Sequence, residues 1–207
     1  MSSISIIGLG GMARAIGARA VESGHAVEVI GRDAAKAKDL AAALGGGATA
    51  GTFGTTPTGD LVVLAVPHAG GVPVVTEYGD ALAGKVVIDI SNTFAGPDDT
   101  ALATPEGSSA AQEIAKAAPA SAHVVKAFNT VFGHVLARGG SLDVLVAGDD
   151  AGAKARVSAF VESLGLRPLD VGGLDMAHRL EGAGLLLMGL ARSGAGFNVA
   201  LGVTILD

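Results

Sequence analysis

Cysteine is missing from all 207 residues, so disulfides, thiolate catalysis and zinc–sulfur centres are excluded at the outset. Aromatic residues are scarce (six Phe, one Tyr, no Trp), and charged residues make up 16% of the chain against a usual share of roughly 25%. Lys and Arg form no cluster and the formal net charge is −6, which makes nucleic acid and anionic membrane poor partners. Long apolar runs are missing too. The most apolar stretch, Gly182 to Ala191, ends at Arg192, well short of the ~20 residues of a membrane helix. Strand-like residues begin within three positions of Met1, leaving no room for a signal peptide, so a soluble cytoplasmic protein is expected. The five histidines show neither HxH nor HxxxH spacing, and no metal site is expected.

Small and apolar residues are what the chain has in plenty: 32 glycines and a hydrophobic share of 49%. So little polar material covers a surface poorly, and a homo-oligomer that hides an apolar face is expected. The stretch Ile4 to Gly24, ISIIGLGGMARAIGARAVESG, organises the rest. A short apolar strand runs into Gly8-Leu9-Gly10-Gly11-Met12-Ala13, and an Ala-rich helical pattern follows from Met12 to Glu22. Strand, glycine turn and helix in this order open a dinucleotide-binding unit. Gly8 permits the tight turn, and Gly10 lets the backbone approach a pyrophosphate lying on the helix that starts near Gly11. Ala13 is an accepted variant of the third glycine.

Further apolar runs of strand length follow: Ala26 to Ile30, Leu61 to Val66, Lys85 to Ile90, His123 to Phe128 and Leu142 to Gly148. Their apolar residues are continuous rather than alternating, as in a parallel sheet covered on both faces. Helical patterns fall between them, around Val72 to Ala83, Ser108 to Ala118 and Ala151 to Leu164. The succession predicts an α/β fold, a doubly wound parallel sheet of Rossmann type with right-handed crossovers. Residues 1–150 are assigned to this domain. Residues 151–207, with an apolar helix over Met176 to Leu190, are assigned to a small C-terminal helical lobe that completes the cleft and supplies the dimer interface. The segment Asn92 to Gly107 reads as a long loop at the carboxyl edge.

The end of the second strand selects the nucleotide. An acid there would bind the ribose hydroxyls of NAD, but the sequence reads Gly31-Arg32, with Lys36 one helical turn on. Arg holds a 2′-phosphate by a two-pronged hydrogen bond, so NADP(H) is favoured. Asp33 reads as the N-cap of the helix from Ala34. Val66-Pro67-His68 ends the strand Leu61 to Val66, where the nicotinamide would lie, with His68 on the substrate side. Asn92 and Asn129 each follow a strand end and are candidates for the nicotinamide amide or the substrate. Asp89 reads equally as half of a turn-stabilising pair. Lys126 is read either as a catalytic acid or, more commonly, as a stem on apolar surface with its head in water. There is no Ser-His-Asp set and no Tyr-x-x-x-Lys. Catalysis without a protein acid or base suits hydride transfer between two flat heterocycles, where the protein supplies alignment and exclusion of water.

GLGGMA, IGR with Lys36, LAVPH, VVIDISNTF, VVKAFNT, VAGDD and, above all, the run Gly165 to Gly172 (GLRPLDVG) resemble the F420-dependent NADP reductases, in the right order and over nearly the whole chain. The resemblance implies a Rossmann domain with a small C-terminal lobe, a homodimer, and hydride passing between NADP(H) and the deazaflavin coenzyme F420. It puts Leu9, Gly10, Gly11 and Met12 at the pyrophosphate, Gly31, Arg32 and Lys36 at the 2′-phosphate, and Val66 and Pro67 beside the nicotinamide. The KAFNT-type motif is shared with the cytosolic NADPH-binding domain of membrane ferric reductases. Two alternatives stand beside this reading. One is an NADPH-dependent reductase of another planar acceptor (flavin, quinone or imine), the other a non-catalytic NADP(H)-binding redox sensor.

Overall fold

The computed structural model describes residues 2–96, 98 and 100–206. Strand β1 (Ser3–Ile7) leads into helix α1 (Gly11–Glu22), and β2 (Ala26–Gly31) into α2 (Ala34–Leu44) and the short β3 (Thr49–Thr52). The second half of the winding runs β4 (Leu61–Leu64), α3 (His68–Tyr78) and β5 (Val86–Asp89). A two-stranded hairpin follows, β6 (Phe94–Ala95) with β7 (Ala101–Leu102), then α4 (Ala110–Ala117) and β8 (His123–Lys126). The chain continues through α5 (Gly133–Ala137), β9 (Asp143–Gly148), α6 (Ala151–Ser163), β10 (Arg167–Gly172) and α7 (Ala177–Leu190).

The continuous apolar strands are explained by burial. All of β4 and β5 is buried, and successive residues serve opposite faces. Leu61, Val63, Val86 and Ile88 pack with Ala15 and Ile16 of α1 and Val157 and Phe160 of α6. Val62, Leu64 and Val87 pack with Val74, Val75 and Tyr78 of α3 and Ala111 and Ile114 of α4. Among the described residues the sheet has eight strands, in the order β10-β9-β8-β5-β4-β1-β2-β3. Winding therefore reverses between β1 and β4, and the crevice outside their carboxyl ends is the switch point.

The sheet departs from the expected all-parallel form at one place. β8 pairs antiparallel with β9, and β10 then runs parallel to β9. A parallel return needs a crossover that traverses the sheet. The segment after β8 offers only five-residue α5, about 7.5 Å of helix, so the chain re-enters from the near edge. The sheet extends through β10 to Gly172, and helix α7 and the tail follow it. Among the described residues no helix is long and apolar enough to cross a membrane.

Candidate functional site

At the switch point Gly8 has φ +128°, and a Cβ there would sit 2.1 Å from the carbonyl oxygen of Ala65. Only glycine fits between the ends of β1 and β4. The backbone then opens. A Cβ at Gly10 or Gly11 would meet nothing within 4 Å. The first turn of α1 carries no side-chain cap and no acidic residue, so its N–H groups and positive end face that space undiminished. Free N–H groups at an uncapped helix start are the geometry that takes an anion.

On one side of this helix start lies a cavity of about 370 Å³. It brings together Gly8, Leu9, Gly31, Arg32, Lys36, Val66 and Pro67 from the sequence-derived set. Gly31 is needed for closeness, since a Cβ there would lie 2.5 Å from the Leu9 side chain. Asp33 caps α2 as expected, accepting from the N–H groups of Ala35 and Lys36, both at 3.1 Å. The Lys36 backbone N–H holds the Asp33 carboxyl below its usual range, and the Lys36 ammonium, 3.6 Å away, adds to this. The negative charge is thus directed into the helix start, and Arg32 and Lys36 remain the cations of the cavity. The residue that sequence reasoning missed is Phe53. It follows β3, which lies beside β2 in parallel register, and its ring sits 5.4 Å below the Arg32 guanidinium.

On the other side lies a smaller cavity of about 270 Å³, which brings together Met12, Asn92 and Asn129 with Ile90, Phe94, Phe128 and, from α7, Leu187 and Met188. The two asparagines are bound to each other. Asn129 Nδ2 donates to Asn92 Oδ1 (2.9 Å) and to the Leu180 carbonyl (2.7 Å), while Asn92 Nδ2 donates to the Asn129 carbonyl (2.8 Å). This leaves Asn129 Oδ1 buried without a partner, an acceptor whose orientation is fixed by the two donors' needs. The chain turns sharply into Asn129 at Phe128, whose φ is +62°, a conformation costly outside glycine and stabilised by full burial against Phe160. His68 stands apart from this grouping. It is the first residue of α3, half-buried, and lines neither cavity.

Behind the smaller cavity the structure corrects the surface placement of Lys126. The side chain is fully buried, and its ammonium donates to Asp89 Oδ2 (2.7 Å), the Ser91 carbonyl (2.7 Å) and Glu181 Oε1 (2.9 Å). Three acceptors replace three waters, which is how a charge tolerates the interior. With all its N–H bonds used and no place in the cavity wall, Lys126 is not positioned as a proton donor. Asp89 keeps the expected turn bond, accepting from Ser91 N–H at 3.0 Å, and is at the same time an ion-pair partner.

A doubly wound sheet with an uncapped helix start between two cavities at its switch point defines a Rossmann-type protein. Residues 3–93 match the family described as NADP oxidoreductase, coenzyme F420-dependent. It is 31% identical over 139 residues to the F420-dependent NADP reductase of Methanocaldococcus jannaschii, covering 64% of this chain and 62% of the relative. It is also 31% identical over 188 residues to metalloreductase STEAP3 of Rattus norvegicus, covering 89% of this chain and 37% of the relative. The chain thus spans less than two thirds of either protein. A crystal structure from Arthrobacter sp. FB24, provisionally described as an F420-dependent NADP reductase, superposes with a TM-score of 0.84 at 25% identity over 96% of this chain and 97% of that one.

Proposed function

We propose that the protein binds NADP(H) across the switch point and passes hydride between it and a second planar redox molecule, coenzyme F420. The observation that carries this reading is the pair of cavities flanking the uncapped start of α1. Arg32 and Lys36 hold the 2′-phosphate, with Phe53 beneath Arg32. The N–H groups of Gly11 and Met12 take the diphosphate, and Val66 and Pro67 line the path to the nicotinamide. Asn92 and Asn129 hold the reacting end. The two coenzymes supply the hydride chemistry, while the chain aligns them and excludes water. The family description and the archaeal relative support F420 as the acceptor. Room beside Met12 and Asn129 favours an enzyme over a redox sensor.

The metalloreductase relative favours a second reading, in which NADPH reduces a different acceptor. Mixing the protein with NADPH and F420 and following the deazaflavin absorbance tests the first: the band disappears with turnover. No turnover in either direction removes F420, and a panel of flavin, quinone and imine acceptors then decides the second.

A further inference from the structure

The stretch from Asp89 to Phe94 is a partition. Ile90, Asn92 and Phe94 line the smaller cavity, whereas Asp89, Ser91 and Thr93 bond to a buried polar hub on the other side. The hub is centred on Lys126 and closed by Glu181 of α7, both fully buried. Glu181 Oε1 accepts from Lys126 and from the Ala110 N–H at the start of α4 (3.0 Å), and Oε2 accepts from the Thr93 hydroxyl (2.8 Å). Every carboxylate oxygen of Asp89 and Glu181 faces a donor. One helical turn beyond Glu181, α7 passes so close to the cavity wall that a Cβ at Gly184 would lie 2.6 Å from Asn92 Oδ1. Leu187 and Met188, the next turn, are themselves cavity wall.

We propose that Glu181 is a positioning residue for hydride transfer: through Lys126 and Thr93 it tethers α7 to the ends of β5 and β8, and so fixes the cavity in which the two rings meet. The inference rests on the proposed NADP(H) reading for its catalytic consequence. Its geometry stands on the hub alone.

Glu181→Ala cuts the tether but leaves the Lys126–Asp89 pair charge-balanced, and the larger cavity at Arg32 is remote from it. Glu181→Gln restores the tether, because its carbonyl accepts from Lys126 and Ala110 while its amide donates to a reversed Thr93 hydroxyl. In Glu181→Ala, adenosine 2′,5′-bisphosphate binds as in the parent chain. The fluorescence enhancement of bound NADPH is lost, and single-turnover hydride transfer falls about a hundredfold with little change in NADPH affinity. Glu181→Gln recovers most of both. Parent-like transfer in Glu181→Ala, equal damage in Glu181→Gln, or loss of adenosine bisphosphate binding in Glu181→Ala would each overturn the proposal. Should the parent chain bind NADPH yet reduce no acceptor, the hydride reading fails, while the fluorescence contrast between the two variants still decides the tether. Should NADPH not bind, amide hydrogen exchange over residues 182–190 decides it, faster in Glu181→Ala and parent-like in Glu181→Gln.

Discussion

Arg32 and Phe53 show at the scale of single residues what a sequence reveals and what it withholds. The cation is legible because it occupies the end of β2, where a dinucleotide fold chooses between ribose hydroxyls and a phosphate. Phe53 is not legible: it stands in a Gly- and Thr-rich stretch without periodicity, and only the pairing of Gly31 with Thr52 brings it beneath Arg32. The burial of Lys126 is illegible in the sequence for a related reason. Its partners lie 37 and 55 residues away, and it meets Asp89 because the two are register partners in β5 and β8. Phe53→Ala is expected to weaken adenosine 2′,5′-bisphosphate about tenfold by calorimetry, the scale of a lost cation–π and stacking contact. Unchanged affinity would remove Phe53 from the site. Gly8→Ala is expected to abolish NADPH binding and lower the melting temperature, since its Cβ would overlap the Ala65 carbonyl. A variant that melts and binds like the parent would contradict that packing.

At the scale of elements, the winding from β1 to β5 was readable from apolar run lengths and their punctuation, and α7 from its apolar helical run. Helix α3 begins four residues earlier than the pattern suggested, at His68 rather than Val72. Gly70, Gly71 and Pro73 read as helix breakers, yet Gly71 is there for packing: a Cβ would lie 2.7 Å from Ile114 of α4. The reversal of β9 was hidden because apolar continuity carries no direction. This edge of the sheet is pinned by Arg167 on Asp143, at 2.6 Å through both Nε and Nη2, and Asp143 also accepts from the Val203 N–H of the tail at 2.7 Å. The Arg167 guanidinium, more than the Val203 N–H, holds the Asp143 carboxyl below its ordinary range. A depressed folded value means that the contribution is complete above the unfolded carboxylate's pKa, about 3.9, and is lost as pH falls from there through the folded value. Melting temperature is therefore expected to hold down to about pH 5 and to drop below about pH 4. Asp143→Asn should be less stable at neutral pH with a shallower acid decline, and an equally steep decline would contradict the role given to this pair.

For the whole molecule, composition implied a surface with too little polar cover, and the structure locates the excess. Leu186 and Leu190 of α7 are 72% and 54% exposed, and Ile205 and Leu206 in the tail are exposed further still. A homodimer burying the outer face of α7 is expected from this. Light scattering should give twice the chain mass, and Leu186→Lys with Leu190→Lys should give the single mass with NADPH affinity retained. A parent chain of single mass would contradict it. The central claim concerns the nucleotide, and paired titrations of NADPH and NADH against the parent chain and Arg32→Ala test it most directly. The account predicts that NADPH binds the parent more tightly than NADH, and that Arg32→Ala narrows the preference ten- to a hundredfold, the effect of about 1.5–3 kcal/mol for a charged hydrogen bond. Absence of NADPH binding, or a preference untouched by Arg32→Ala, would contradict it.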